Sequence, residues 1–199
     1  MANTQSQFGF KHVGFISGAA PDYQLNSNYA IQSSYATAIF PGTPMVKSAA
    51  SPYIIPATGT GNLTTLLGVF QGVSYTPSGG GPPAFTPWWP TNGGASDGKA
   101  QLVDAPGALF LVSSLLTAVP SSSIGQNIGF STGAGGTTYG AGFATYVVDQ
   151  GTLTTGPTAP FQVYSLYNGI GNGSDTTSSY NWILVTFNNE RFKQLTGVA

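Results

Sequence analysis

The 28 glycines and 14 prolines scattered through 199 residues bound the fold of this chain before anything else does. A helix needs roughly ten or more uninterrupted positions, and glycine and proline are its two least favourable interior residues. Few windows here escape both. Between the breakers lie short runs rich in β-branched and aromatic residues: "SYATAIF" (Ser34–Phe40), "LLGVFQGVSY" (Leu66–Tyr75), "LFLV" (Leu109–Val112), "IGQNIGF" (Ile124–Phe130), "ATYVV" (Ala144–Val148), "FQVYSLY" (Phe161–Tyr167) and "NWILVTF" (Asn181–Phe187). Runs of this kind at this spacing predict an all-β protein, an antiparallel β-barrel or sandwich with long Gly/Pro-rich loops and little helix.

The longest breaker-free stretch of the first half, Asp22–Phe40, is its best helix candidate. Asn26, Ser27, Asn28, Ser33 and Ser34 are poor helix-interior residues, however, and the end of the stretch is expected to be strand. Its faces, Tyr35, Thr37, Ile39 against Ala36, Ala38, Phe40, are both largely apolar. The same holds for Trp182, Leu184, Thr186 against Ile183, Val185, Phe187, the pattern of a strand covered on two sides. Glycine and proline mark loops at Pro41–Pro44, Gly59–Gly61, Gly79–Gly94, Gly133–Gly142 and Gly169–Gly173. No fixed-period repeat emerges. One all-β domain over residues 1–199 is expected, with a Gly/Pro/Trp-rich loop over 76–99 and a solvated turn and tail over Asn188–Val198.

Only 6% of the residues are charged, against about 25% in an average soluble domain. A net charge of −1 gives little long-range repulsion, so the surface favours association. The start, "MANTQSQFGF", has neither a basic nor an apolar leader segment, so no secretory signal is expected. The most apolar window, Gly107–Val119, falls short of the ~20 residues of a spanning helix, and no membrane partner is expected.

Catalytic patterns mostly fail on context. "GFSTG" (Gly129–Gly133) fits the G-x-S-x-G elbow as written, but glycine-rich sequence rather than a helix follows Ser131, and the single histidine, His12, precedes it. With no cysteine and scattered acids (Asp22, Asp97, Asp104, Asp149, Asp175, Glu190), neither a zinc site nor a calcium loop is expected. A glycosidase pair drawn from Asp97 and Asp104 is the remaining enzymatic option, with turn residues as the plainer reading. No phosphate-binding glycine motif occurs, and Lys11, Lys47, Lys99, Arg191 and Lys193 are too dispersed for a nucleic-acid groove. Asn62-Leu63-Thr64 and Asn172-Gly173-Ser174 match glycosylation acceptors by chance. The expectation is a non-enzyme without metal or cofactor.

Aromatic side chains are plentiful: 12 Phe, 10 Tyr and 3 Trp. Trp182, inside an apolar run, is expected in the core or an interface. Trp88 and Trp89, in "GGGPPAFTPWWPTNGG", are open between the chain's own core and a contact with another protein.

Several motifs together resemble the head decoration, or cement, proteins of short-tailed bacteriophages. They are "QFGF" (Gln7–Phe10), "SYATAIFPGTPMV" (Ser34–Val46), "LLGVFQGVSY" (Leu66–Tyr75), "PWWP" (Pro87–Pro90), "AQLVDAPGALFLV" (Ala100–Val112), "IGQNIGF" (Ile124–Phe130), "FQVYSLY" (Phe161–Tyr167) and "VTFNNERFKQLTGV" (Val185–Val198). "PGTP" stands where that family commonly has "GDP", and the charge is unusually low. The resemblance implies a virion structural protein, made in the host bacterial cytoplasm and bound to the capsid exterior. There it would bridge copies of the major capsid protein and of itself, as a homo-oligomer, and stabilise the shell against internal DNA pressure. It also implies an extended N-terminal arm over residues 1–21 that orders on binding, and partner-facing aromatics at Phe8, Phe10, Phe85, Trp88 and Trp89. The alternative is a carbohydrate-binding or tail-associated adhesin module using the aromatic loop. Because prolines stiffen that loop and glycines free its ends, its two tryptophans are expected to face different ways.

Overall fold

The computed structural model describes residues 7–21, 26–58, 66–94, 96–105, 107–132, 144–171 and 173–188. Strands β1 (Lys11–Phe15), β8 (Ala108–Ser113), β12 (Trp182–Phe187), β11 (Phe161–Leu166), β9 (Asn127–Thr132) and β10 (Tyr146–Thr154) lie in that order in the first sheet. The second sheet runs β2 (Asn26–Ile31), β7 (Gly98–Val103), β5 (Leu66–Tyr75), β3 (Pro44–Lys47), β4 (Ile54–Pro56), with β6 (Ala84–Thr86) paired to the far end of β5. Strand neighbours pair antiparallel throughout, and the architecture is sandwich-like: neither sheet closes into a barrel. The first sheet curls nonetheless. Ser114, just past β8, forms a parallel bridge to Val148, and Leu115 N donates to Val148 O at 2.9 Å, drawing β10 back toward the end of β8.

The sheets share a core built on rings. Phe10 stacks on Phe161 (centroids 4.4 Å, 16°), Phe161 stacks on Phe187 (5.6 Å, 23°), and Phe110 meets Phe187 edge-on at 5.0 Å. Leu66, Val69 and Val103 enter this core from the second sheet. A second core lies on the other face of that sheet, made by Ile31, Ile39, Met45, Ile54, Phe70, Val73, Trp89, Ala100 and Leu102. Covering both faces explains why β5 reads as an unbroken apolar run rather than an alternation. Two irregularities serve the double burial. Pairing skips Leu67 opposite β3 and Gln71 opposite β7, and each extra residue resets which face the following side chains meet.

Of the expected strands, Leu66–Tyr75 is met residue for residue, and the runs at 109–112, 161–167 and 181–187 lie within one residue of β8, β11 and β12. Ser34–Phe40 is not a strand: only Ile39 bridges, to Trp89. The strand lies earlier in the proposed helix, at β2, where pairing with β7 and complete burial of Ile31 outweigh the polar composition. "IGQNIGF" starts with a turn, and β9 begins only at Asn127.

The extended arm is also corrected over its described part. Phe10 is fully buried, Phe10 N donates to Gly42 O at 3.0 Å, and β1 pairs with β8. Burying one phenylalanine stabilises by roughly 1.5–3 kcal/mol, which contributes to holding the segment against the first sheet. Residues 1–6, the loops at Gly59–Gly61 and Gly133–Gly142, and the tail beyond Asn188 lie outside the described residues. No helix among the described residues is long and apolar enough to cross a membrane.

Candidate functional site

The aromatic loop is a built structure. Pro77 bridges to Gly94 and Ile39 to Trp89, so the segment expected as loop over 76–99 carries β6 and is pinned at two further points. Trp89 is fully buried in the second core, its Nε1 donating to Tyr35 O at 3.3 Å and its ring 5.2 Å from that of Tyr75. Glycine at position 98 leaves the room: an added Cβ would stand 2.5 Å from Trp89 Cζ3. Trp88, its neighbour, is 41% exposed and stacks parallel on Phe40 (5.7 Å, 6°), while its carbonyl accepts from Thr86 Oγ1 at 2.6 Å. The two rings face opposite ways.

Of the five aromatics expected to meet a partner, Phe10 and Trp89 are therefore corrected to core positions; neither has surface to offer. Phe8 is half-buried, edge-on to Trp182 at 5.1 Å. Trp182 is itself half-buried, with Tyr167 on it at 5.6 Å. Phe85 is 58% exposed and lies over Gly72, where an added Cβ would fall 2.8 Å from Phe85 Cζ. Its ring occupies the space that the missing side chain of the glycine leaves on the sheet.

Phe85 belongs to a face that sequence reasoning missed. Cross-strand pairing sets Ala30 opposite Lys99, Lys99 opposite Ser74, and Ser74 opposite Phe85, one row over β2, β7, β5 and β6. The adjacent row holds Gln101 opposite Gly72. Ala100 and Leu102 point into the Trp89 core, so Lys99 and Gln101 point to the other side. There Lys99 and Phe85 stand exposed and Ser74 half-exposed. The signal was present in "GKAQLV", whose polar residues alternate with apolar ones at period two.

The described acids are engaged in local structure. Asp97 accepts from Tyr53 Oη at 2.9 Å and Ser33 N at 3.1 Å, tying the chain before β4 to the turn after β2. Asp97 also raises the Tyr53 phenol pKa, first through that hydrogen bond and then through its charge. Asp104 accepts from Tyr29 Oη at 2.9 Å, and Asp149 Oδ1 from Gly151 N at 2.9 Å. Asp175 is held well below the usual carboxylate range by hydrogen bonds from the Ser178 hydroxyl and from Thr177 N and Oγ1. Asp97 and Asp104 thus each serve a separate tie within the second sheet. No group of three or more potential metal ligands occurs among the described residues. Ser131 sits on β9 with its hydroxyl donating to Thr132 O, while His12 is on β1 at the far edge of the same sheet, packed on Phe15 and Phe110. Asp22, Asn62, Asn172, Glu190, Arg191 and Lys193 lie outside the described residues.

Comparison with family models, with curated proteins and with solved structures finds no match to this chain.

Proposed function

We propose that this protein is a virion structural protein, a capsid cement that binds the outer surface of the assembled head, bridges major capsid subunits and stabilises the shell against internal DNA pressure. The observation that carries the reading is where apolar side chains meet solvent. Leu116, Ile124 and Ile170 stand exposed in the loops of the first sheet, Ile170 completely, and Trp88 at the edge of the second, on a chain with only 5 basic and 6 acidic residues. Such a surface favours contacts that exclude water over contacts that depend on salt bridges. Repeated over many copies, contacts that are each weak sum to firm attachment. The motif string from Gln7 to Val198 supports the same reading through its resemblance to phage decoration proteins.

In this reading the partners are the major capsid protein and further copies of the chain, with no direct contact to nucleic acid or membrane. Purified protein added to capsids stripped of it should rebind and raise the temperature at which they release DNA. Absence of binding, or binding with no change in that temperature, sinks the reading.

A further inference from the structure

The half of the second sheet that bears Phe85, Ser74, Lys99 and Gln101 faces away from the Trp89 core. At the near end of this face, Leu66, Val69 and Val103 pack into the shared core with the first sheet; at the far end Phe85 and Lys99 are in solvent. Strands lie about 4.8 Å apart and same-face residues about 7 Å apart along a strand, so the two rows cover roughly 150 Å². A specific protein interface needs about 800 Å² from each partner. The patch is too small and too polar to be one, and its dimensions fit a short run of sugar rings.

Its chemistry fits as well. The tip of the Phe85 ring fills the space over Gly72, and the side chain is 58% exposed. The negative face of an aromatic ring attracts the weakly positive C–H bonds on one face of a pyranose. Because the ring is already oriented, little conformational freedom is lost on binding. One strand spacing away stands the Ser74 hydroxyl, and one further the Lys99 ammonium, with the Gln101 amide beside them. Lys99 is the one charged side chain in these two rows. Lys99 is therefore anchored about 10 Å from Phe85 across the sheet, roughly two sugar units along.

We propose that this face binds a short acidic saccharide, with a pyranose ring stacked on Phe85 and the carboxylate of a uronate two units along at Lys99. The proposal uses Phe85, one of the aromatics expected to face a capsid partner, but none of Leu116, Ile124, Ile170 and Trp88, the exposed side chains on which the attachment reading rests.

Titration of isotope-labelled protein with a hyaluronan tetrasaccharide, which alternates N-acetylglucosamine and glucuronate, tests it by NMR, with neutral chitotetraose as the comparison. Saturable shifts are expected at the amides of residues 72–74, 84–86 and 98–101. The Lys99→Gln variant should bind the acidic probe at least five-fold more weakly and chitotetraose unchanged. Phe85→Leu should weaken both at least five-fold. Lys99 is exposed, so its variant keeps the test informative if the loss of the ring over Gly72 disturbs folding. No saturable shift up to about 10 mM of either probe, where even a free energy near −3 kcal/mol would register, overturns the proposal. So do shifts confined to other residues, equal affinity for the two probes, or a Lys99→Gln variant that binds both as the wild type does.

Discussion

Ile39 and Trp89 exchange both backbone hydrogen bonds, Ile39 N to Trp89 O at 3.0 Å and Trp89 N to Ile39 O at 2.8 Å. The pair fixes both flanking residues too: Ile39 and Trp89 point together into the second core, while Phe40 and Trp88 stack on the other side. Identical neighbours in sequence thus have unlike roles. Trp89→Ala should cost about 3–5 kcal/mol of stability, the range for emptying a buried aromatic site, and Trp88→Ala about 1 kcal/mol or less. Urea denaturation of the two variants measures the difference. Equal losses would contradict the opposed orientations.

The space for the indole depends on residue 98. A methyl group there would meet Trp89 at 2.5 Å and Val73 Cγ2 at 3.0 Å, so Gly98→Ala should destabilise by about 1–3 kcal/mol through overpacking. Pairing it with Trp89→Ala should relieve the clash. The double variant is expected to lose less stability than the sum of the two single losses, a coupling that thermal unfolding of the four proteins would show.

Burial, and secondarily the nearby Tyr35 phenol, pushes the Tyr146 pKa from 10.0 up to about 12, and its hydroxyl donates to Ala57 O at 2.9 Å. A phenol raised in the folded state contributes stability in full below pH 10. That contribution is lost as pH climbs from 10 toward 12, because the unfolded chain releases the proton first. The stability lost to this one group across the interval is roughly 2–3 kcal/mol. Tyr146→Phe should flatten the decline, as measured by denaturant midpoints between pH 9 and 11.5. A slope as steep as wild type would contradict the assignment.

Tyr53 reports on the tie between β2 and β4. Since the Asp97 carboxylate accepts its hydroxyl proton and repels the phenolate, Asp97→Ala should bring the Tyr53 pKa down toward its ordinary value. Ring-carbon NMR shifts followed through an alkaline titration detect this. A titration unchanged by the substitution would mean that the two groups do not touch in solution.

Asn181 is fully buried and clamps one residue from both sides: its Oδ1 accepts from Val119 N and its Nδ2 donates to Val119 O, each at 3.0 Å. Replacing it by leucine strands both backbone groups in a dry site, for an expected loss of about 2–4 kcal/mol. Denaturant unfolding would show it, and a loss under about 1 kcal/mol would mean that water takes over the clamp.

What the sequence revealed follows from where each segment finds its partners. Runs such as Leu66–Tyr75 and Asn181–Phe187 carry enough apolar and β-branched residues to be read alone. The strands at 11–15, 44–47, 54–56 and 98–103 escape such reading, because "KHVGF", "PMVK", "IIP" and "GKAQLV" are short or broken by proline and glycine, and are strands only by virtue of their neighbours. Proline and glycine around Trp88 and Trp89 pointed to backbone constraint, and did so correctly. They carried no information about which ring would be covered, since the cover comes from Ile31, Ile39 and Leu102, distant in sequence. The binding face was half legible: the alternation of Lys99 and Gln101 was there to read, but the row joining them to Phe85 exists only through register.

The strand order has a consequence for the chain as it leaves the ribosome. The second sheet draws all its strands from residues 26–103, so it can assemble while the rest is still being made. The first sheet cannot, because β12, the strand between β8 and β11, ends only at Phe187. Phe10 can meet Phe110 first, but its stacking partner Phe161 is translated on the order of ten seconds after it at ordinary elongation rates. Throughout that interval the core-facing rings of the unfinished first sheet lack the cover that Phe161 and Phe187 later give them, so the first sheet is the part of the nascent chain most exposed to premature association.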